Sequence, residues 1–212
     1  MIIAVDGPTA SGKGTIARRL AEHFGVPYLD TGLLYRAVGW QVALNEGDPD
    51  NPDDALAACD FDDQLLEDTA LRTEETGSLA SRVSVHPQVR RALYERQRTF
   101  AQQPGGAVLD GRDIGTVIVP EADVKLFITA SVQARARRRW LEMTHDHLNR
   151  EDELPLSEIE RDIVQRDARD INRKDAPLKA APDAMIIDTT SFDRDEAFEM
   201  VLEAVLERRK AD

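Results

Sequence analysis

The stretch that most narrows the choice of fold lies near the start of the chain. An apolar run at residues 2–5 leads into G-P-T-A-S-G-K-G-T at 7–15, and apolar residues then recur four apart at Ile16, Leu20 and Phe24. The run reads as a buried parallel strand and the four-residue spacing as a helix. A glycine-rich turn between the two lets backbone N–H groups converge on phosphate oxygens. The helix N-terminus adds positive potential, and a lysine at its start neutralises terminal phosphate charge. Gly7, Pro8, Thr9, Ala10, Ser11, Gly12, Lys13, Gly14 and Thr15 are therefore the candidate ATP-binding residues, with Lys13 also a candidate catalytic group. The strict form of this motif has Ser or Thr directly after the lysine as a Mg²⁺ ligand. Gly14 stands there instead, and Thr15 comes one later. The Mg²⁺ that accompanies ATP is expected to be held by phosphates and water, with no direct protein ligand.

The rest of the chain repeats the strand–helix alternation. Short apolar runs at 26–29, 107–109, 124–128 and 185–187 read as four more strands. Helical spacing covers 89–100, 131–143, 156–171 and 195–209, and a further helix runs to Leu44 with Thr31 as its cap. Strands alternating with helices predict an α/β fold with a five-stranded parallel sheet flanked by helices. Two segments break the rhythm. Residues 46–75 hold twelve acids and one base, Arg72, and read as a solvated, irregular or partly helical insertion. Residues 144–153 are polar and without pattern, which suits a lid between two helices.

Composition limits what such a chain can bind. Forty acids against 27 basic residues give a formal charge of −13 over 212 residues. That field repels polyphosphates at long range and argues against nucleic acid as a partner. Cys59 is the only cysteine, so neither a disulfide framework nor a cysteine-rich metal site is available. His145 and His147 are too close in sequence to face one another on a helix. No apolar run approaches the ~18 residues needed to span a bilayer, and the start of the chain lacks the basic segment of a signal peptide. A monomeric cytoplasmic protein that does not engage membranes is the expectation.

Against that acidic background the arginines are informative. Asp30-Thr31-Gly-Leu-Leu-Tyr35-Arg36 and Asp110-Gly-Arg112-Asp113 each follow a predicted strand, at the carboxyl edge where parallel sheets bind ligands. On the helix at 156–171, Ile159 and Ile163 mark an inward stripe that helical spacing continues through Arg166, Asp170 and Arg173. Charges on an inward stripe need partners, and an anionic ligand is one such partner. Arg135, Arg138 and Arg139 share a helix face that either closes on a ligand or faces solvent.

Several segments together resemble the bacterial cytidylate kinase family over nearly the whole chain. They are I-A-V-D-G-P-T-A-S-G-K-G-T at 3–15, L-D-T-G-L-L-Y-R-A-V at 29–38, A-S-R-V-S-V-H-P-Q-V-R at 80–90, D-G-R-D-I-G-T-V-I-V-P at 110–120 and R-D-A-R-D-I-N-R-K-D-A-P-L at 166–178. The resemblance implies the nucleoside monophosphate kinase fold: a P-loop core at 1–45, 105–140 and 157–212, an NMP-binding insertion at 46–104, and a lid at 141–156. The implied reaction moves the γ-phosphoryl group of ATP to CMP or dCMP, in pyrimidine nucleotide metabolism. By position, Ser81, Arg90 and Asp110 would read the base, and Tyr35, Arg36, Arg112 and Arg173 would surround the acceptor phosphate. Thr31, Arg166 and Asp170 would lie near the sugar. Lys13, Arg112, Arg173, Arg135 and Arg139 would act on the transferred group. Asp113 would also lie among the CMP-binding residues; it and Thr15 would reach the metal through its waters, or Asp113 an arginine. Between 60 and 78 the chain is shorter than the strand-rich insertion common in the family. A kinase of the same fold with another acceptor, or a module that binds ATP without transfer, stays open on the residues alone.

Overall fold

The computed structural model describes residues 1–146 and 155–211. Five parallel strands form one sheet: β1 (Ile2–Asp6), β2 (Tyr28–Asp30), β3 (Ala107–Gly111), β4 (Val124–Thr129) and β5 (Met185–Asp188), in the spatial order β2-β3-β1-β4-β5. β1 lies at the centre, with Ile3 opposite both Val108 and Val124 in register. Successive side chains of β1 point to opposite faces. Ile3 and Val5 join Val108, Leu126 and Ile128 on one face, while Ala4 meets Leu109 and Ile114 on the other. All eight are buried. Each larger one contributes about 1.5–3 kcal/mol by leaving water.

Helices cover both faces. α1 (Lys13–Phe24) and α8 (Arg194–Ala211) pack Ile16, Leu20, Phe198 and Val201 on the first. α5 (Pro87–Ala101) brings Ala101 to the second. α2 (Thr31–Leu44) carries the chain from β2 into the insertion. Its N-cap is Asp30, whose carboxylate accepts from the Leu33 N–H, whereas Thr31 is already helical and donates its hydroxyl to the Asp110 carbonyl at 2.8 Å. The cap assignment to Thr31 is thus corrected by one residue, because the hydroxyl has a better use at the end of β3.

The insertion is more ordered than its acidity suggests. It holds α3 (Pro52–Ala57), two 3₁₀ turns and α4 (Glu74–Val83). Leu34, Val38, Val42, Ala55, Ala58, Val83 and Val89 form a cluster of their own beneath it. Most of the acids stay on the outside, and Asp62 and Asp68, together with the amide of Asn51, cap turns by accepting backbone N–H groups.

α6 (Val132–Asp146) and α7 (Leu156–Asn172) pack on each other through Ala136, Ile159 and Ile163. α6 runs to Asp146, so part of the segment expected to be a lid continues the helix. The remainder of that segment, through 154, lies outside the described residues. No helix among the described residues is long and apolar enough to cross a membrane.

Candidate active site

The site lies along the carboxyl edge of the sheet, where the order turns at β1. After β1 the chain makes a loop that needs unusual backbone. Gly7 has φ +155°, and a Cβ there would sit 2.1 Å from the Ile128 carbonyl oxygen. Ala10 and Gly12 also take positive φ, 55° and 88°. No side chain caps α1, so its first N–H groups face the loop's own concavity. Lys13 folds back to 3.4 Å from the Pro8 carbonyl and is buried. Burial, and the nearby Arg112 charge, pull its pKa down to about 8; Asp110 and Asp30 work against that.

Asp110, at the end of β3, is the matching anion. Burial and the Asp30 charge push its carboxyl up to about 7, while Lys13 and a 2.6 Å hydrogen bond from the Tyr28 hydroxyl oppose the shift. Burial thus works against the charged form of both groups. Asp6 performs a fixed task one strand over: its two oxygens accept the N–H groups of Ile114 and Gly115, each at 2.8 Å. It thereby sets the π-helical turn Ile114–Ile118 that follows D-G-R-D.

Two arginines of α6 hold the loop from outside. Arg135 donates to the carbonyls of Ala130 (3.0 Å) and Thr9 (3.1 Å) and to Asp167 (2.6 Å). Arg138 reaches the Ser11 carbonyl at 3.3 Å and the Thr189 carbonyl at 2.5 Å. The shared face inferred from the i, i+3, i+4 spacing is therefore turned toward protein. The Arg135 guanidinium is spent on the loop's carbonyls and on Asp167, so it acts on the site through the loop's shape.

Beside the loop opens a cavity walled by α2, α4, α7 and the end of β3. Of the residues assigned to the acceptor, Thr31, Tyr35, Arg36, Ser81, Arg90, Arg112, Asp113, Arg166, Asp170 and Arg173 all line it. Asp110 does not; its carboxylate belongs to the Lys13 side. Within the cavity wall the charges alternate. Asp113 takes Arg90 with one oxygen and Arg173 with the other, the latter at 3.5 Å; Asp170 lies 4.0 Å from Arg173 and takes the Arg112 Nε at 2.9 Å. Arg90, Asp113 and Arg173 side chains are each less than a tenth exposed. Breaking such a pair costs about 3–5 kcal/mol, because the partner is left buried and uncompensated. The network therefore holds its arginines at fixed positions. Five arginines against two aspartates leave the wall cationic, although the chain as a whole is acidic.

Other placements refine the sequence reading. Arg173 is the residue just past α7, in extended conformation, so the last charge of the stripe reaches the cavity from the helix end. Arg36 donates to the carbonyls of Leu71 and Thr73 and so braces the insertion while lining the cavity. The Ser81 hydroxyl is buried with no partner among the described residues. Asp113, with both oxygens on arginines, takes the arginine-binding alternative. Sequence reasoning overlooked Asp6, Tyr28, Glu74 and Asp167. Only Asp6, an acid between a buried strand and a glycine, carried a local signal.

A model of the cytidylate kinase family matches residues 3–207. The chain belongs to the cytidylate kinase family. Among its curated relatives, the cytidylate kinase of Rhodopseudomonas palustris (strain ATCC BAA-98 / CGA009) is 53% identical over 196 residues, 91% of this chain and 90% of that protein. The cytidylate kinase of Caulobacter sp. (strain K31) is 50% identical over 199 residues, 93% of this chain and 90% of its own length. That of Xanthobacter autotrophicus is 50% identical over 212 residues, 100% of this chain and 99% of its own, so this match runs through the acidic insertion as well. Among solved structures, an uncharacterized protein from Eubacterium ventriosum shares the fold, with a TM-score of 0.55 at 15% identity over 97% of this chain and 98% of the other.

Proposed function

We propose that this chain transfers the γ-phosphoryl group of ATP to CMP or dCMP, releasing ADP with CDP or dCDP, as a cytoplasmic monomer serving pyrimidine nucleotide metabolism. The observation that carries the reading is the buried Arg90–Asp113–Arg173–Asp170–Arg112 chain beside the Lys13 loop. It supplies cationic groups aimed at a second anion, next to a loop suited to the first.

Phosphoryl transfer asks the protein mainly for alignment and for positive charge around the transferred group. Lys13 and the loop N–H groups bind the donor phosphates. Arg112 and Arg173, fixed by Asp170 and Asp113, hold the acceptor phosphate with Arg36. A phosphate monoester is already anionic at neutral pH, so no general base is needed. Ser81, with its unpartnered hydroxyl, and Arg90 are the groups available to the base; Thr31, Arg166 and Asp170 remain for the sugar.

The donor set also suits a magnesium ion brought in by ATP. No cluster of three or more ligating side chains occurs among the described residues, while Asp110 and Asp30 add negative charge beside Lys13. Such a pair fits an ion that keeps its waters and phosphate oxygens, with Asp110 accepting from the waters. Bound there, Mg²⁺ would neutralise charge on the transferring phosphates.

The test is nucleoside diphosphate formation from ATP with CMP, dCMP, UMP, AMP and GMP in turn. CDP and dCDP are the expected main products. Preferential use of AMP or GMP, or ADP released with no second diphosphate, would overturn the assignment.

A further inference from the structure

Glu74 stands in the first turn of α4, on the insertion, yet its carboxylate leaves the insertion altogether. One oxygen takes Arg139 of α6 and the other takes Arg166 of α7. One side chain thus ties the acceptor-side helix to both helices on the opposite side of the cleft. The tie is next to the phosphate loop, since Thr9 and Ala10 border the same small cavity as Glu74, Arg139 and Arg166.

The surroundings are crowded with positive charge. Arg36 joins the pair: burial first, then Arg139 and Arg166, disfavour its charged form, while Asp30 and Glu74 support it. Gly77, one turn along α4, makes the approach possible. A Cβ there would lie 3.0 Å from Arg36 Nη2 and 3.2 Å from Arg166 Nη1. Two guanidiniums, Arg36 and Arg166, gather on this bare stretch of helix with Arg139 close by, and Glu74 supplies the anion for Arg139 and Arg166. A carboxylate gripping two guanidiniums makes the contacts that a phosphoryl group would make. A nucleotide phosphate arriving beside Thr9 would repel Glu74 and compete for its arginines.

We propose that Glu74 is an internal substitute for a nucleotide phosphate: it holds Arg139 and Arg166 in the free protein, and when nucleotide binds it yields Arg139 to phosphoryl oxygens and Arg166 to the sugar beside them. It acts through the arginines and is a positioning residue. The inference rests on the kinase reading above.

Glu74 is about a third exposed and lies in a first helical turn, so the neutral isostere Glu74→Gln leaves the core intact. With the competitor's charge removed, calorimetry at low salt should show CMP binding about 3–10-fold tighter than in the wild type. Raising the salt to about 0.5 M should close most of that gap, since screening weakens the competition. Unchanged or weaker CMP binding by a folded E74Q protein overturns the proposal, as does a gain that salt leaves untouched, which would come from packing. A wild type that binds ATP but not CMP strikes at the kinase reading instead.

Discussion

The two halves of the cleft are held in shape by different means. On the donor side, geometry comes from the backbone: positive φ at three nearby residues, an uncapped helix start, and carbonyls tied down by Arg135 and Arg138. On the acceptor side it comes from side chains, alternating Arg and Asp drawn from α5, the end of β3 and the end of α7. A backbone cradle tolerates change in most of its side chains but not in its glycines or its lysine. A charge network is the reverse, because each member answers the charge of one or two neighbours and its loss is felt by all of them. The donor side should therefore fail locally, and the acceptor side cooperatively.

Three experiments test that contrast. Lys13→Ala should produce the largest effect, lowering turnover by about 10²–10³-fold or more, as removal of a transition-state charge partner does. CMP affinity, measured by calorimetry, should stay near that of the wild type, because the acceptor network does not include this residue. Arg173→Met comes next. It leaves Asp113 and Asp170 each short of a partner, so the KM for CMP should rise about 10-fold to 10²-fold while ATP binding changes little. Equal losses for the two nucleotides would mean that the halves are not separate.

The smallest effect is a pH dependence confined to the donor side. Burial lowers the Lys13 pKa to about 8 in the empty cleft, and phosphate favours the charged ammonium. Binding of ATP without divalent ions should therefore take up a proton near pH 8, and should weaken as pH rises above it. Calorimetry in two buffers of different ionisation enthalpy reads the uptake directly. A proton count of zero would mean that the lysine stays charged in the empty cleft.

The same contrast explains which parts of the site were legible. The loop occupies nine consecutive residues, so its motif and its structure coincide. All five strands were visible as apolar runs, with shifts of one or two residues at their ends; the signature is most complete for β1 and β3, which are covered on both faces. α4 was not visible. Its fully buried residues are Thr76, Gly77 and Val83, two of which are not the large apolar residues from which helical spacing is read, and it packs on the α2 cluster through Val83 and Ala80. The acceptor arginines were picked out, but their counter-ions were not assigned to them. Asp113 looked as ready for a metal's waters as for an arginine, and Arg135 looked as ready for solvent as for a ligand, whereas the fold gave it the Thr9 and Ala130 carbonyls.

What residue order alone determined is whatever depends on neighbours in the chain: strand, turn and helix in succession, the phosphate-binding loop, and the set of charged residues brought to one sheet edge. What only the tertiary structure decided is the pairing among those charges. Asp110 went to the Tyr28 hydroxyl, Asp113 to Arg90 and Arg173, and Glu74 across the cleft to Arg139 and Arg166. The physical reason is range. Backbone preferences act over a few residues, whereas a charge answers to whichever opposite charge the fold brings within about 4 Å, however far away it lies in sequence.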